Sequence, residues 1–176
     1  MKSRIVLLLA SLLLAGCLGM PEQLEPVSGF EAKKYLGTWY EIARLDHRFE
    51  RGMSNVTARY SLREDGGLTV VNRGFVAERG EWSEATGKAY LVGDESIGHL
   101  KVSFFGPFYA SYVIFGLDQE DYQYAFVSGP DHSYLWLLSR QPEPDQAVVE
   151  RFLEQARQAG FATDELIFVA HDRPQP

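Results

Sequence analysis

The sequence predicts an all-β domain: an eight-stranded up-and-down antiparallel β-barrel with one C-terminal α-helix packed on its outside. Three observations carry this. Eight strand-like runs follow one another, separated by turn residues and joined by short connections, as in an up-and-down barrel. The hydrophobic period then changes: Val148, Val149, Phe152, Leu153 and Ala156 fall on one face of a helix, with most charges elsewhere. Finally, the run Tyr134-Leu135-Trp136-Leu137-Leu138 is apolar on both faces, as a strand between a barrel interior and a covering helix must be.

The elements follow in order. Lys2 and Arg4 precede an apolar run, residues 5–14, that is too short to span a bilayer, so residues 1–16 are expected to be a signal peptide. Its end, Leu14-Ala15-Gly16-Cys17, resembles a bacterial lipobox, which implies that Cys17 becomes the acylated first residue of the mature protein. Cys17 is the single cysteine, so no intrachain disulfide forms. Residue 18 is Leu rather than Asp, a pattern that in lipoproteins of this type implies transfer to the Gram-negative outer membrane. Residues 17–29, with Pro21 and Pro26, read as a tether, and residues 30–176 as the barrel domain.

Residues 30–36 suggest one short helical turn ahead of Gly37. Strands are expected at 38–45, 55–63, 68–75, 82–91, 99–104, 109–118, 124–128 and 134–140, the helix over about 144–160, and a short extra strand over 166–169. Glu64-Asp65-Gly66-Gly67 is a hairpin turn in which glycine supplies the positive φ.

Gly37-Thr38-Trp39 at the head of the first strand resembles the Gly-x-Trp signature of the lipocalins. The string on through Asp46-His47-Arg48-Phe49-Glu50-Arg51-Gly52 is similar to the bacterial members, which are outer-membrane lipoproteins. Ser139-Arg140 matches the arginine of the family's last motif, whereas Leu117-Asp118 matches the middle motif only in part. The resemblance covers residues 30 to about 169. It implies a non-enzymatic carrier of small hydrophobic molecules, and for bacterial members fatty acids or lysophospholipids, in membrane maintenance or stress.

With an even number of strands, the start of the first and the end of the last share one end of a barrel. Gly37, Trp39 and Arg140 therefore meet at a closed end, where the guanidinium can stack on the indole. The connections 46–54, 76–80, 105–108 and 129–132 lie at the opposite, open end, with the longest as a lid. Phe49, Phe105 and Phe108 are placed at this mouth. Phe104, Phe105, Phe108 and Tyr109 around Gly106-Pro107 should not all face water without a ligand, a membrane or a second subunit.

Period-two alternation from Trp39 puts Glu41, Ala43 and Leu45 inside. The candidate ligand wall is Ala43, Ala58, Tyr60, Tyr109, Tyr112 and Trp136, an apolar and aromatic cavity suited to an acyl chain with its head at the opening. An inward Glu41 needs a partner or a proton, and a structural pairing is expected.

Other chemistry is missing. His47, His99, His132 and His171 have no ligand-like spacing and read as surface histidines, so no metal and no cofactor are expected. No nucleophile elbow, phosphate loop or dinucleotide fingerprint occurs, and the single cysteine is the expected anchor. The net charge of −7, made more negative by loss of Lys2 and Arg4, argues against nucleic acid as a partner. The alternative to a carrier is a structural lipoprotein that uses its apolar mouth for a partner or self-association; a lipid-acting enzyme ranks below both. The family includes dimers, so monomer and homodimer are both left open.

Overall fold

The computed structural model describes residues 18–175; the signal peptide and Cys17 lie outside the described residues. After a one-turn helix α1 (Ala32–Tyr35), eight strands follow: β1 (Gly37–Arg44), β2 (Met53–Leu62), β3 (Leu68–Val76), β4 (Glu81–Leu91), β5 (His99–Phe105), β6 (Phe108–Leu117), β7 (Tyr124–Ser128) and β8 (Leu135–Ser139). Each pairs antiparallel with the next, and β8 returns to β1, which also pairs β2. The result is the closed up-and-down barrel read from the sequence. Helix α2 (Gln146–Gln158) follows, its first turn held by Asp145 accepting from the Ala147 amide. A two-residue strand β9 (Ile167–Phe168) then pairs with β1.

Apolar side chains divide into two layers. One fills the lower barrel, around Tyr35, Trp39, Tyr60, Leu100, Ile114 and Leu138. The other, including Ile42, Phe126, Leu135, Leu137, Phe152 and Ala156, lies between the barrel wall and α2. Strands β7 and β8 contribute to both, which is why their sequences are apolar on both faces.

The stretch before α1 is packed along the barrel. Leu24 is buried in the layer beneath α2, Val27 exchanges backbone hydrogen bonds with Ile114 and Gly98, and the Phe30 amide donates to the Ser96 carbonyl. The composition of 17–29 suggested a spacer, and the apolar contacts of Leu24 and Val27 fix it instead.

The seam between β1 and β2 is closed in part by the C-terminal segment. β1 and β2 pair only where Gly37–Tyr40 meets Thr57–Tyr60. Above that, the C-terminal segment lies between them: the Val169 amide donates to the Ile42 carbonyl and the Asn55 amide to the Ala170 carbonyl. Asn55, buried and at φ 56°, holds this strap with the rest of its polar atoms. Its Nδ2 donates to Asp172, its Oδ1 accepts from the Arg173 amide, and its carbonyl accepts from Gln175.

Candidate functional site

The floor is closed by the arginine at the end of β8. The Arg140 guanidinium lies 3.8 Å from the centre of the Trp39 ring. It donates to the carbonyls of Tyr122, Thr38, Lys34 and Leu36 at 2.9–3.1 Å. Trp39 donates its indole N–H to the Tyr35 carbonyl, so both partners are polar-satisfied at a buried site. Gly37, at φ 96°, carries the chain past Arg140 in a conformation that favours glycine.

A layer of phenols lies above the floor. Tyr35 and Tyr112 share a hydrogen bond of 2.7 Å, and Tyr60 donates to Tyr112 at 2.9 Å. Burial raises the pKa of all three, so the layer is uncharged. Tyr60 and Tyr112, both candidates for the ligand wall, face inward and belong to this lower layer.

Further up, the inner face changes character. The registers Ala58–Asn72–Ala85 and Val102–Ala110 place small residues on the lumen side, and none of these is buried: Ala85 and Ala110 are exposed. Phe104 and Trp136 complete the apolar part of this inner face. The upper lumen is therefore a solvent-accessible cup with a sealed, aromatic base.

Two expected wall residues face outward. A β-bulge at Ile42, between Glu41 and Ala43, shifts the alternation of β1. Trp39 and Glu41 stay inside, but Ala43 and Leu45 pack beneath α2, and Arg44 turns into the barrel opposite Trp136. Tyr109 adjoins the lumen-facing Ala110 and so lies outside, against Tyr90, with Lys88 and Lys101 above its ring at 5.8 and 5.3 Å. Neither Ala43 nor Tyr109 lines the lumen.

The bulge also creates the group of residues that the sequence reading missed. Arg44, almost wholly buried, donates to Glu41 Oε1 at 2.7 Å and to the carbonyls of Glu50 and Met53. Glu50, in the connection between β1 and β2, approaches His47 at 2.9 Å and accepts from the Trp136 indole at 3.2 Å. His47 is buried against Trp136 and Tyr134, not a surface histidine. Burial, and then the charge of Glu50, push the Glu41 carboxyl well above the ordinary range; Arg44 opposes this less strongly. Burial also pushes Glu50 upward, but the hydrogen bond and charge of His47 and the bonds from Glu41 and Trp136 hold it below the ordinary range. Of the two carboxyls, Glu41 is therefore the one that holds a proton more readily and Glu50 the one that carries charge more readily. The β1–β2 connection is fastened by this network as a lid over one side of the cup.

Arg44 Nε and Asn72 Oδ1 have no hydrogen-bond partner among the described residues. Both atoms are buried from solvent, on residues whose side chains lie on the inner face of the upper barrel. At the rim, Phe49, Phe105 and Phe108 are 48, 69 and 66% exposed. Two open clefts, of about 210 and 420 Å³, lie outside the barrel, beside α2 and beside the β2–β3 hairpin. Among the described residues, no group of three or more His, Cys, Asp or Glu side chains is placed to hold a metal ion.

Comparison with known proteins gives one consistent answer. The model of the lipocalin-like domain family matches residues 30–171. An outer membrane lipoprotein, Blc, of Vibrio cholerae is 60% identical over 165 residues, covering 94% of this chain and 96% of its own. The outer membrane lipoprotein Blc of Escherichia coli is 52% identical over 149 residues, covering 85% of this chain and 84% of its own. Among solved structures, insecticyanin from Manduca sexta superposes with a TM-score of 0.69 at 20% identity, covering 86% of each chain; at that identity it supports the fold alone.

Proposed function

The chain belongs to the lipocalin family, whose members are carriers of small hydrophobic ligands, and from that premise we propose that it binds fatty acids or lysophospholipids in the upper barrel, on the outer membrane. The observation that carries this is the cup itself. Ala58, Ala85 and Ala110 face the lumen without side chains large enough to fill it, above a base that Tyr35, Tyr60 and Tyr112 close. Such a shape suits an acyl chain inserted tail-down, stabilised by about 0.8 kcal/mol per buried methylene. Its head would sit level with Arg44, Glu50 and Trp136, the polar group at the top of the lumen. The printed name of the Vibrio and Escherichia relatives supports the outer-membrane location, and the lipobox ending at Cys17 supplies the means.

The test is a titration of the purified protein with a lysophospholipid while following tryptophan fluorescence. A saturable change is expected, and Trp136→Ala should weaken binding about tenfold or more. Trp82→Ala should leave it unchanged, because Trp82 packs against Phe75 on the outer wall. No response to any acyl lipid would overturn the proposal. The exposure of Phe105 and Phe108 favours a second reading, in which the mouth also meets a partner or a second copy. Native mass spectrometry of the delipidated protein with a lipid extract reports ligand and subunit number together.

A further inference from the structure

We infer that the barrel stands mouth-down on its membrane, with Phe49, Phe105 and Phe108 inserted into the bilayer surface. Three independent observations point to a lipid surface as the occupant of this apolar rim.

The first is where the chain enters. The Gly19 backbone passes the Pro130 carbonyl, where a β-carbon at Gly19 would lie 3.8 Å from its oxygen. Pro130 belongs to the connection between β7 and β8, at the mouth. From there the segment descends along the wall: Gln23 lies beside Gly160, Leu24 beneath α2, and Val27 against Gly98. The side chain of Gln119, in a closed-end connection, then donates to the Ser28 carbonyl. Gly19 is two residue steps from Cys17, about 7 Å at full extension. An acyl anchor one link before Leu18 would therefore start within that reach of the mouth end, and the segment after it is fixed to the barrel at Pro21, Leu24 and Val27.

The second is the rim. Phe105 and Phe108 project from the β5–β6 hairpin and Phe49 from the lid, all at that same end. On the wall below Phe108, Lys88 and Lys101 flank Tyr109, cations and a phenol at the depth where phospholipid headgroups would lie.

The third is charge. The closed-end connections hold Glu64, Asp65, Asp94, Glu95, Asp118, Glu120, Asp121, Glu143 and Asp145 against Arg63 and Arg140, with Lys33 and Lys34 of α1 nearby. The mouth connections, including the one between α2 and β9, set Arg48, Arg51 and Arg79 against Asp46, Glu78, Asp131, Asp164, Glu165 and the buried Glu50. An anionic membrane repels the more acidic closed end more strongly than the phenylalanine-tipped mouth. Mouth-down docking places the cup opening at the lipid source, so a detached acyl chain crosses into the lumen without crossing water.

This inference rests on acylation of Cys17. The experiment uses full-length acylated protein in vesicles of phosphatidylethanolamine and phosphatidylglycerol. Cys17 being consumed, an environment-sensitive fluorophore is placed on Phe108→Cys or, at the closed end, on Glu120→Cys. Label at 108 is expected to shift to the blue and to be quenched several-fold by lipids brominated on the acyl chain, while label at 120 stays aqueous. An aqueous label at 108, or quenching at 120, on protein whose intact mass confirms the acyl chains would overturn the docking and leave lipid carriage standing. An intact mass without acyl chains overturns the anchor and the orientation together.

Discussion

Glu41 and Arg140 show how individual residues at the two ends of the lumen are held. Glu41 keeps a proton in the folded state that the unfolded chain releases near pH 4.5, so its contribution to stability is complete in acid. That contribution is lost as pH rises from 4.5 through the raised value. Glu50 has the opposite sign: its stabilisation is present above the ordinary range and lost as pH falls through its lowered value, so it does not interfere above pH 4.5. Glu41→Gln keeps an acceptor for Arg44 without a titrating group. Its melting temperature is expected to equal the wild type near pH 5 and exceed it near pH 8, read by scanning calorimetry. Glu41→Ala instead leaves the Arg44 guanidinium short of a partner and should cost about 3 kcal/mol or more. At the floor, Arg140→Lys loses the planar stack on Trp39 and the forked donation to four carbonyls, and about 2 kcal/mol of stability in urea unfolding is the expected loss.

Among the elements, the C-terminal strap and the bulge in β1 are where local sequence and tertiary structure part company. Truncation after Val169 removes the partners of Asn55, and amide exchange should accelerate about tenfold or more at residues 53–57 while β5 to β7 stay protected. Asn55→Gly loses the side-chain bonds to Asp172 and Arg173 but tolerates the positive φ. Asn55→Ala loses both and should be about 1 kcal/mol less stable again. Neither feature is written in local pattern. Residues 170–175 carry no apolar period of their own, and their partners are backbone and side-chain groups of Glu41, Asn55 and Thr57 on other strands. Ile42 reads as an ordinary apolar strand residue, so strict alternation places Ala43 inside, whereas the extra residue hands that place to Arg44. Tyr109 misled for a related reason: it and Tyr112 cannot share a face at a spacing of three, and the lower, inward one is fixed only by pairing with Leu100.

For the molecule as a whole, the barrel was legible because its signals repeat. Alternating runs, short connections and the helix after Pro142 each point to the same closed sheet, and the parity of eight strands alone brings Trp39 to Arg140. The floor of the site was legible for that reason. The lid was legible by its length, but its fastening was not, because His47 and Glu50 acquire their meaning only when the β1–β2 connection folds back over Trp136. That closure sets how fast cargo is exchanged. With the base sealed, one opening serves both arrival and departure, and Arg44 fastens part of its rim through the Glu50 and Met53 carbonyls. A restraint that gates both directions alters time without altering equilibrium. Arg44→Met, which keeps the apolar stem, is expected to quicken association and dissociation of a lysophospholipid by a similar factor in stopped-flow measurements, to the extent that its own polar contacts with the head are weak. A selective rise in dissociation would instead identify Arg44 as a headgroup contact, so the ratio of two rates separates the gate from the grip.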